Sequence, residues 1–162
     1  MKERILNVAI ENLRRGGLKF SVDTLASQLK ISKKTIYKYF PDKETLALAM
    51  YEKFYDYAKQ KIRTSVDNTS KKQLKESLRV YFDAKMMTRK AVFNKYKLNA
   101  SVYDYTSALN DELWNDLILS LKMEPHAQDT DTLRIIVDGA FEKLCDVGLS
   151  PDNVTERLAE LL

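Results

Sequence analysis

Apolar residues recur at helical spacing from the start of the chain. Ile5, Ala9 and Leu13, with Leu6 and Ile10 beside them, predict an amphipathic helix over residues 2–15. Gly16 and Gly17 follow the last periodic position and end it, because glycine takes the left-handed cap conformation at little steric cost. Leu18 and Phe20 then fold back as core plugs. Ser21 is suited to cap a second, two-turn helix whose apolar face is Leu25, Ala26 and Leu29. A three-residue connection, Lys30-Ile31-Ser32, leads to a third short helix that Ser32 caps and Pro41 stops. In that helix Ile36 and Phe40 face inward, leaving Lys33, Lys34, Thr35, Tyr37, Lys38 and Tyr39 on the outer surface. Asp42 caps a fourth helix that continues to about Arg63, with Leu46, Met50, Phe54 and Tyr57 as its buried stripe.

After the polar stretch Asp67-Asn68-Thr69-Ser70, helical spacing predicts five further helices over residues 71–88, 90–101, 104–122, 130–147 and 152–162. Pro125 and the Asp129-Thr130-Asp131 cluster divide the third from the fourth; Gly148, Ser150 and Pro151 divide the fourth from the last. Strand-like alternation is absent. Only 4 Gly and 3 Pro among 162 residues, with 44% hydrophobic and 31% charged, exclude disordered, collagen-like and turn-rich all-β chains and leave an all-α fold. The single cysteine, Cys145, allows neither an internal disulfide nor a cysteine-clustered zinc site. No apolar run approaches the roughly 18 residues of a membrane span, and Met1 leads straight into amphipathic sequence. A soluble cytoplasmic protein with no membrane partner is the expectation.

Charge is unevenly spread: residues 1–63 carry a net +7 and residues 64–162 a net −3. A basic head on an acidic body points to a polyanion at the head. Two short helices meeting across a tight turn, the second presenting lysine, tyrosine and threonine outward, form a helix-turn-helix. Its second helix fits a major groove about 12 Å wide. Lysine supplies charge there, and tyrosine and threonine supply directional hydrogen bonds.

The run Phe20-Ser21-Val22-Asp23-Thr24-Leu25-Ala26, then Ile31-Ser32-Lys33-Lys34-Thr35-Ile36-Tyr37-Lys38-Tyr39-Phe40, then Asp42-Lys43-Glu44-Thr45-Leu46 resembles the TetR/AcrR family of transcriptional regulators over roughly residues 3–50. The resemblance implies an all-helical homodimer with an amino-terminal helix-turn-helix head and a larger body that dimerises and binds an inducer. Most such proteins are repressors. Carried onto matching positions, Ser21, Tyr37 and Lys43 would hold phosphates. Lys33, Lys34, Thr35 and Lys38 would face base edges, Tyr39 would serve either purpose, and Ser32 opens the reading helix. Lysines 30 and 34 stand where the family often has glycine. The domains expected are a DNA-binding head over 1–45 and a ligand-binding and dimerisation body over 46–162. Two-fold symmetry would set the reading helices about 34–36 Å apart and call for a palindromic operator.

In the body, Met86, Phe93, Tyr96, Tyr103, Trp114 and Phe141 are candidates to line a pocket for a small apolar or aromatic ligand; the same spacing also serves a packed core. Leu133, Ile136, Val137, Ala140 and Leu144, with Gly139 for close approach and Leu158, Leu161 and Leu162 extending it, form a candidate dimer face or an intramolecular one. Catalysis is not expected. The only histidine, His126, sits in a Pro-containing connection, Cys145 lies on an apolar helix, and no phosphate-binding glycine loop or metal-ligand spacing occurs, so no cofactor or metal is predicted. A helical adaptor or co-regulator that keeps this fold but grips another protein is the alternative to a DNA-binding regulator.

Overall fold

The computed structural model describes residues 1–14, 21–64, 70–89 and 100–161. Among them are eight helices and no strand: α1 Lys2–Arg14, α2 Val22–Leu29, α3 Lys33–Tyr39, α4 Lys43–Thr64, α5 Ser70–Met87, α6 Ala100–Ser120, α7 Gln128–Val147 and α8 Pro151–Leu161. Gly16, Gly17, Leu18, Phe20, Phe93, Tyr96, Leu162 and most of the helix expected over 90–101 lie outside the described residues. None of the described helices is long and apolar enough to cross a membrane.

Three expectations are corrected. Tyr57 does not belong to the buried stripe of α4 but is 54% exposed. The stripe advances in four-residue steps through Met50, Phe54, Ala58 and Ile62, with Ala47, Tyr51 and Tyr55 beside it, and Tyr57 falls off its edge. Helix α6 begins at Ala100 rather than 104, because Val102, Thr106, Leu109 and Leu113 already form a buried stripe at helical spacing. Asp129, Thr130 and Asp131 do not separate α6 from α7; they form the first turn of α7, where carboxylates suit the helix dipole. The break lies before them, with Lys122 and His126 in the left-handed region at φ 60° and 63°. The buried Thr130 hydroxyl faces the Glu124 and Ala127 carbonyls at 2.9 and 2.8 Å and fastens that connection.

The chain forms two compact units, residues 1–56 with 86–109, and residues 57–85 with 110–162. In the first, α1 packs on α2 and α2 on α3. Ile5, Leu6, Ala9 and Leu13 of α1, Leu25 and Leu29 of α2, Ile36, Phe40 and Leu46 are all buried. Asn12, 3% exposed, exchanges two amide hydrogen bonds with Gln28 at 2.7 and 3.2 Å, so its burial is compensated. Lys53 pairs with Glu3, and the Arg14 guanidinium lies 5.3 Å from the Phe54 ring centre, tying α4 to α1. The buried Tyr51 hydroxyl donates to the Met87 carbonyl at 3.0 Å.

In the second unit, rings pair across helices: Tyr81 with Trp114 at 5.3 Å and Phe82 with Phe141 at 5.2 Å between centroids. Asp138 accepts from the Tyr81 hydroxyl at 3.0 Å and Lys85 at 2.7 Å, and Arg134 stands 3.5 Å from its other oxygen. Burial, reinforced by that carboxylate, pushes the Tyr81 phenol well above its ordinary pKa. Arg63 makes two 3.0 Å hydrogen bonds to Asp116, and Lys59 pairs with Glu112 one turn away. One group is left out of this satisfaction: the Ser77 hydroxyl is buried without a partner among the described residues.

Candidate nucleic-acid interface

Helices α2 and α3 open with the same local device. Ser21 and Ser32 each precede their helix in extended conformation, and each side-chain oxygen accepts from the backbone N–H three residues on, Thr24 or Thr35, at 3.1 Å. The threonine hydroxyls complete both caps, 2.8 Å from Ser21 Oγ and 2.9 Å from Ser32 Oγ. The two serines are recognisable in sequence as caps; the role of Thr24 is visible only once the repeated Ser-x-x-Thr spacing is set beside the coordinates. Helix α4 begins on a third cap, with the Thr45 N–H donating to Asp42 at 2.6 Å. That hydrogen bond holds the Asp42 carboxyl below the usual aspartate range.

Between α2 and α3 the chain turns through Lys30 in the left-handed conformation, φ 54° and ψ 45°. Ile31 N–H donates to the Ala26 carbonyl at 3.0 Å and Lys30 N–H to that of Ser27 at 3.2 Å, the paired pattern of a Schellman turn. A lysine held at positive φ costs on the order of 1 kcal/mol relative to glycine, and the two carbonyl hydrogen bonds keep it there.

The third helix sorts its residues as its sequence predicts. Ile36 and Phe40 are 0% and 1% exposed, whereas Tyr37 and Tyr39 are 44% and 39% exposed. Lys33, Lys34 and Lys38 are exposed, Thr35 is half-buried beneath the cap, and Lys43 is half-buried at the start of α4. Ser21, Ser32, Lys33, Lys34, Thr35, Tyr37, Lys38, Tyr39 and Lys43 thus all belong to the first unit and lie along α3 or at the starts of α2, α3 and α4. The three lysines of α3 differ in partnership. Lys33 is paired with Asp23 in the first turn of α2, while Lys34 and Lys38 make no ion pair among the described residues. The sequence assigns Asp23 only to the start of a helix; its partner stands ten residues away across the turn.

Residues 5–50 match the family of bacterial regulatory proteins, tetR family. Over that stretch the chain is similar to TetR-family regulators. It is also similar to an uncharacterized HTH-type transcriptional regulator, YvaF, of Bacillus subtilis (strain 168), 28% identical over 124 residues. That match covers 76% of this chain and 62% of the relative. Among solved structures, the superantigen PfiT shares the fold with a TM-score of 0.66 over 99% of this chain and 95% of that one, at 19% identity. The family match is confined to residues 5–50, whereas the fold likeness extends over the body.

The candidate body residues are distributed over both units. Met86 and Tyr103, in the first, are 38% and 42% exposed; Trp114 and Phe141, in the second, are 3% and 1% exposed and engaged in ring pairs. Along α7, Val137 and Leu144 are buried, Leu133 and Ala140 half-buried, and Ile136 is 48% exposed. Ile135 is 74% exposed, and a methyl group added at Gly139 would meet nothing within 4 Å. Leu133 and Ile136 share a half-open cavity of about 460 Å³ with Lys71, Leu74, Leu121 and Ala159.

Proposed function

We propose that the chain is a dimeric DNA-binding regulator whose head, residues 1–45, docks α3 in the major groove. Lys34, Thr35, Lys38 and Tyr39 address base edges and nearby backbone; Ser21, Ser32, Tyr37 and Lys43 fix register on phosphates. Lys33 reaches the same surface from its pair with Asp23. The observation that carries this reading is the outer face of α3, with Tyr37, Tyr39 and two lysines that make no ion pair among the described residues, presented over a buried Ile36 and Phe40.

The body, residues 46–162, pairs with a second copy through the outer side of α7. There Ile136 and Ala140 flank Gly139, whose open backbone favours close approach, while Val137 and Leu144 brace the helix from within. A small apolar or aromatic effector enters the cavity beside Leu133 and Ile136, since Trp114 and Phe141 are already engaged by Tyr81 and Phe82. Effector binding releases a palindromic operator, making the protein a cytoplasmic repressor.

Selection from a random duplex library tests the reading. The parent chain should enrich inverted repeats with half-site centres about one helical turn apart. Tyr37→Ala and Lys43→Ala should each weaken binding to the selected site by roughly tenfold, about 1.4 kcal/mol. No enrichment, or unaltered affinity in both variants, overturns the DNA assignment.

A further inference from the structure

Three lysines project from α3, yet one of them is already matched. Lys33 pairs with Asp23 across the turn, with side chains 55% and 70% exposed, so both groups lie on the surface that the DNA-binding reading assigns to the duplex. We infer that Asp23 is a specificity-determining residue: it withholds Lys33 from the phosphate backbone and so lowers the affinity of the head for DNA of any sequence. The inference rests on the reading of α3 as the DNA-contacting helix.

The electrostatics do not depend on whether the ion pair survives docking. If it persists, its two charges cancel beyond a few ångströms and Lys33 neutralises no phosphate. If Lys33 swings out to a phosphate, Asp23 is left uncovered on a surface facing a polyanion, and its repulsion offsets the new attraction. In both cases α3 contributes about two effective cations, Lys34 and Lys38, rather than three. As an exposed ion pair it adds little to folding stability, so its consequence falls on binding. The carboxylate also suits its own location, the first turn of α2, and its hydrogen bond and charge hold Lys33 protonated above the ordinary lysine range. Sequence-independent attraction is carried by the phosphates, and base contacts carry discrimination. Lys33, the first residue of α3 and tied back to α2, serves in this inference as a backbone contact rather than the base contact the resemblance implies, so withholding it while sparing base contacts raises the ratio of specific to non-specific binding.

The test is a salt titration of the full chain against a fluorescent duplex of random sequence, between about 50 and 200 mM salt, where each neutralised phosphate contributes about 0.9 to the slope of log affinity on log salt. Asp23→Asn should steepen the slope by about 0.9 and tighten binding several-fold. Asp23→Ser should do the same while leaving a good helix-start residue, which separates charge from folding. Lys33→Gln should remove about 0.9 from the slope in the Asp23→Asn background, returning it to the parent value, and Lys38→Gln should remove about 0.9 in either background. No steepening in Asp23→Asn or Asp23→Ser, with Lys38→Gln still flattening the slope, overturns the role of Asp23 while upholding the DNA-binding helix. A parent slope near zero overturns the DNA reading, and this inference with it.

Discussion

The head and the second unit handle their polar groups differently. In the segment from Ser21 to Asp42, each helix start is closed by its own side chain, the turn donates two backbone N–H groups to the end of α2, and buried Asn12 is matched by Gln28. In the second unit, α7 starts at Ala127, whose backbone is extended like an N-cap but which makes no side-chain cap hydrogen bond, and Ser77 is buried without a partner among the described residues. Where a helix must be aimed, its local geometry is fully specified; where helices fill a core, residual dissatisfaction is tolerated. Much of the order between Ser21 and Asp42 is therefore written in short-range contacts, and much of the second unit's in long-range ones.

The comparison can be broken at its largest contact first. Ile36→Ala, at a site with no exposure, should cost about 3 kcal/mol in urea unfolding and abolish DNA binding together with the orientation of α3. A variant that unfolds normally and still binds would show that α3 does not depend on its inward pair. Opposite signs are expected next from two serines. Ser32→Ala should lose about 1 kcal/mol with its cap, whereas Ser77→Ala, which removes an orphaned hydroxyl, should gain about 1 kcal/mol; matching signs in thermal melts would erase the distinction between the regions.

Smaller effects sharpen the same contrast. Ala127→Ser supplies the missing cap of α7 on backbone already in place, at φ −72° and ψ 151°, and should stabilise by about 0.5–1 kcal/mol. Asp42 supplies a pH signature instead. Its folded pKa is depressed, so its contribution is present above the unfolded aspartate value and is lost as pH falls through the folded one. Asp42→Asn keeps a capping oxygen without that titration, and its stability should fall less than the parent's on acidification in this window. Parallel curves would show that the carboxylate charge is irrelevant to the start of α4.

These regions also differ in how much of them is legible in sequence. Caps, turn and inward pair in the head lie within four residues of what they act on, so spacing alone locates Ser21, Ser32, Ile36, Phe40 and Asp42. What spacing does not give is contact between distant positions: Asp23 with Lys33, Asn12 with Gln28, and Glu3 with Lys53 become visible only when the helices are packed. In the body, helical periodicity identifies the helices but not their neighbours. The apolar residues of α7 read as one stripe, yet Val137, Phe141 and Leu144 go inward while Ile135 and Ile136 remain exposed. Aromatic residues read equally well as a pocket lining or a core, and only the rings that Trp114 and Phe141 meet distinguish the two. The start of α6 is missed for a related reason, since Val102 and Thr106 make a stripe that polar and aromatic neighbours obscure.

Helices α4 and α6 pass from one compact unit to the other in mid-span, at residues 56–57 and 109–110, and α5 does so in its last turn at 85–86. The seam is therefore not a linker. A single splice cannot graft the first unit onto another chain, because the exchanged piece would lack residues 86–109 and every cut at a unit boundary would fall inside a helix. Exchanging that unit requires trading two stretches of chain at once, and gene fragments that end at residues 56 or 109 should yield insoluble or protease-sensitive products.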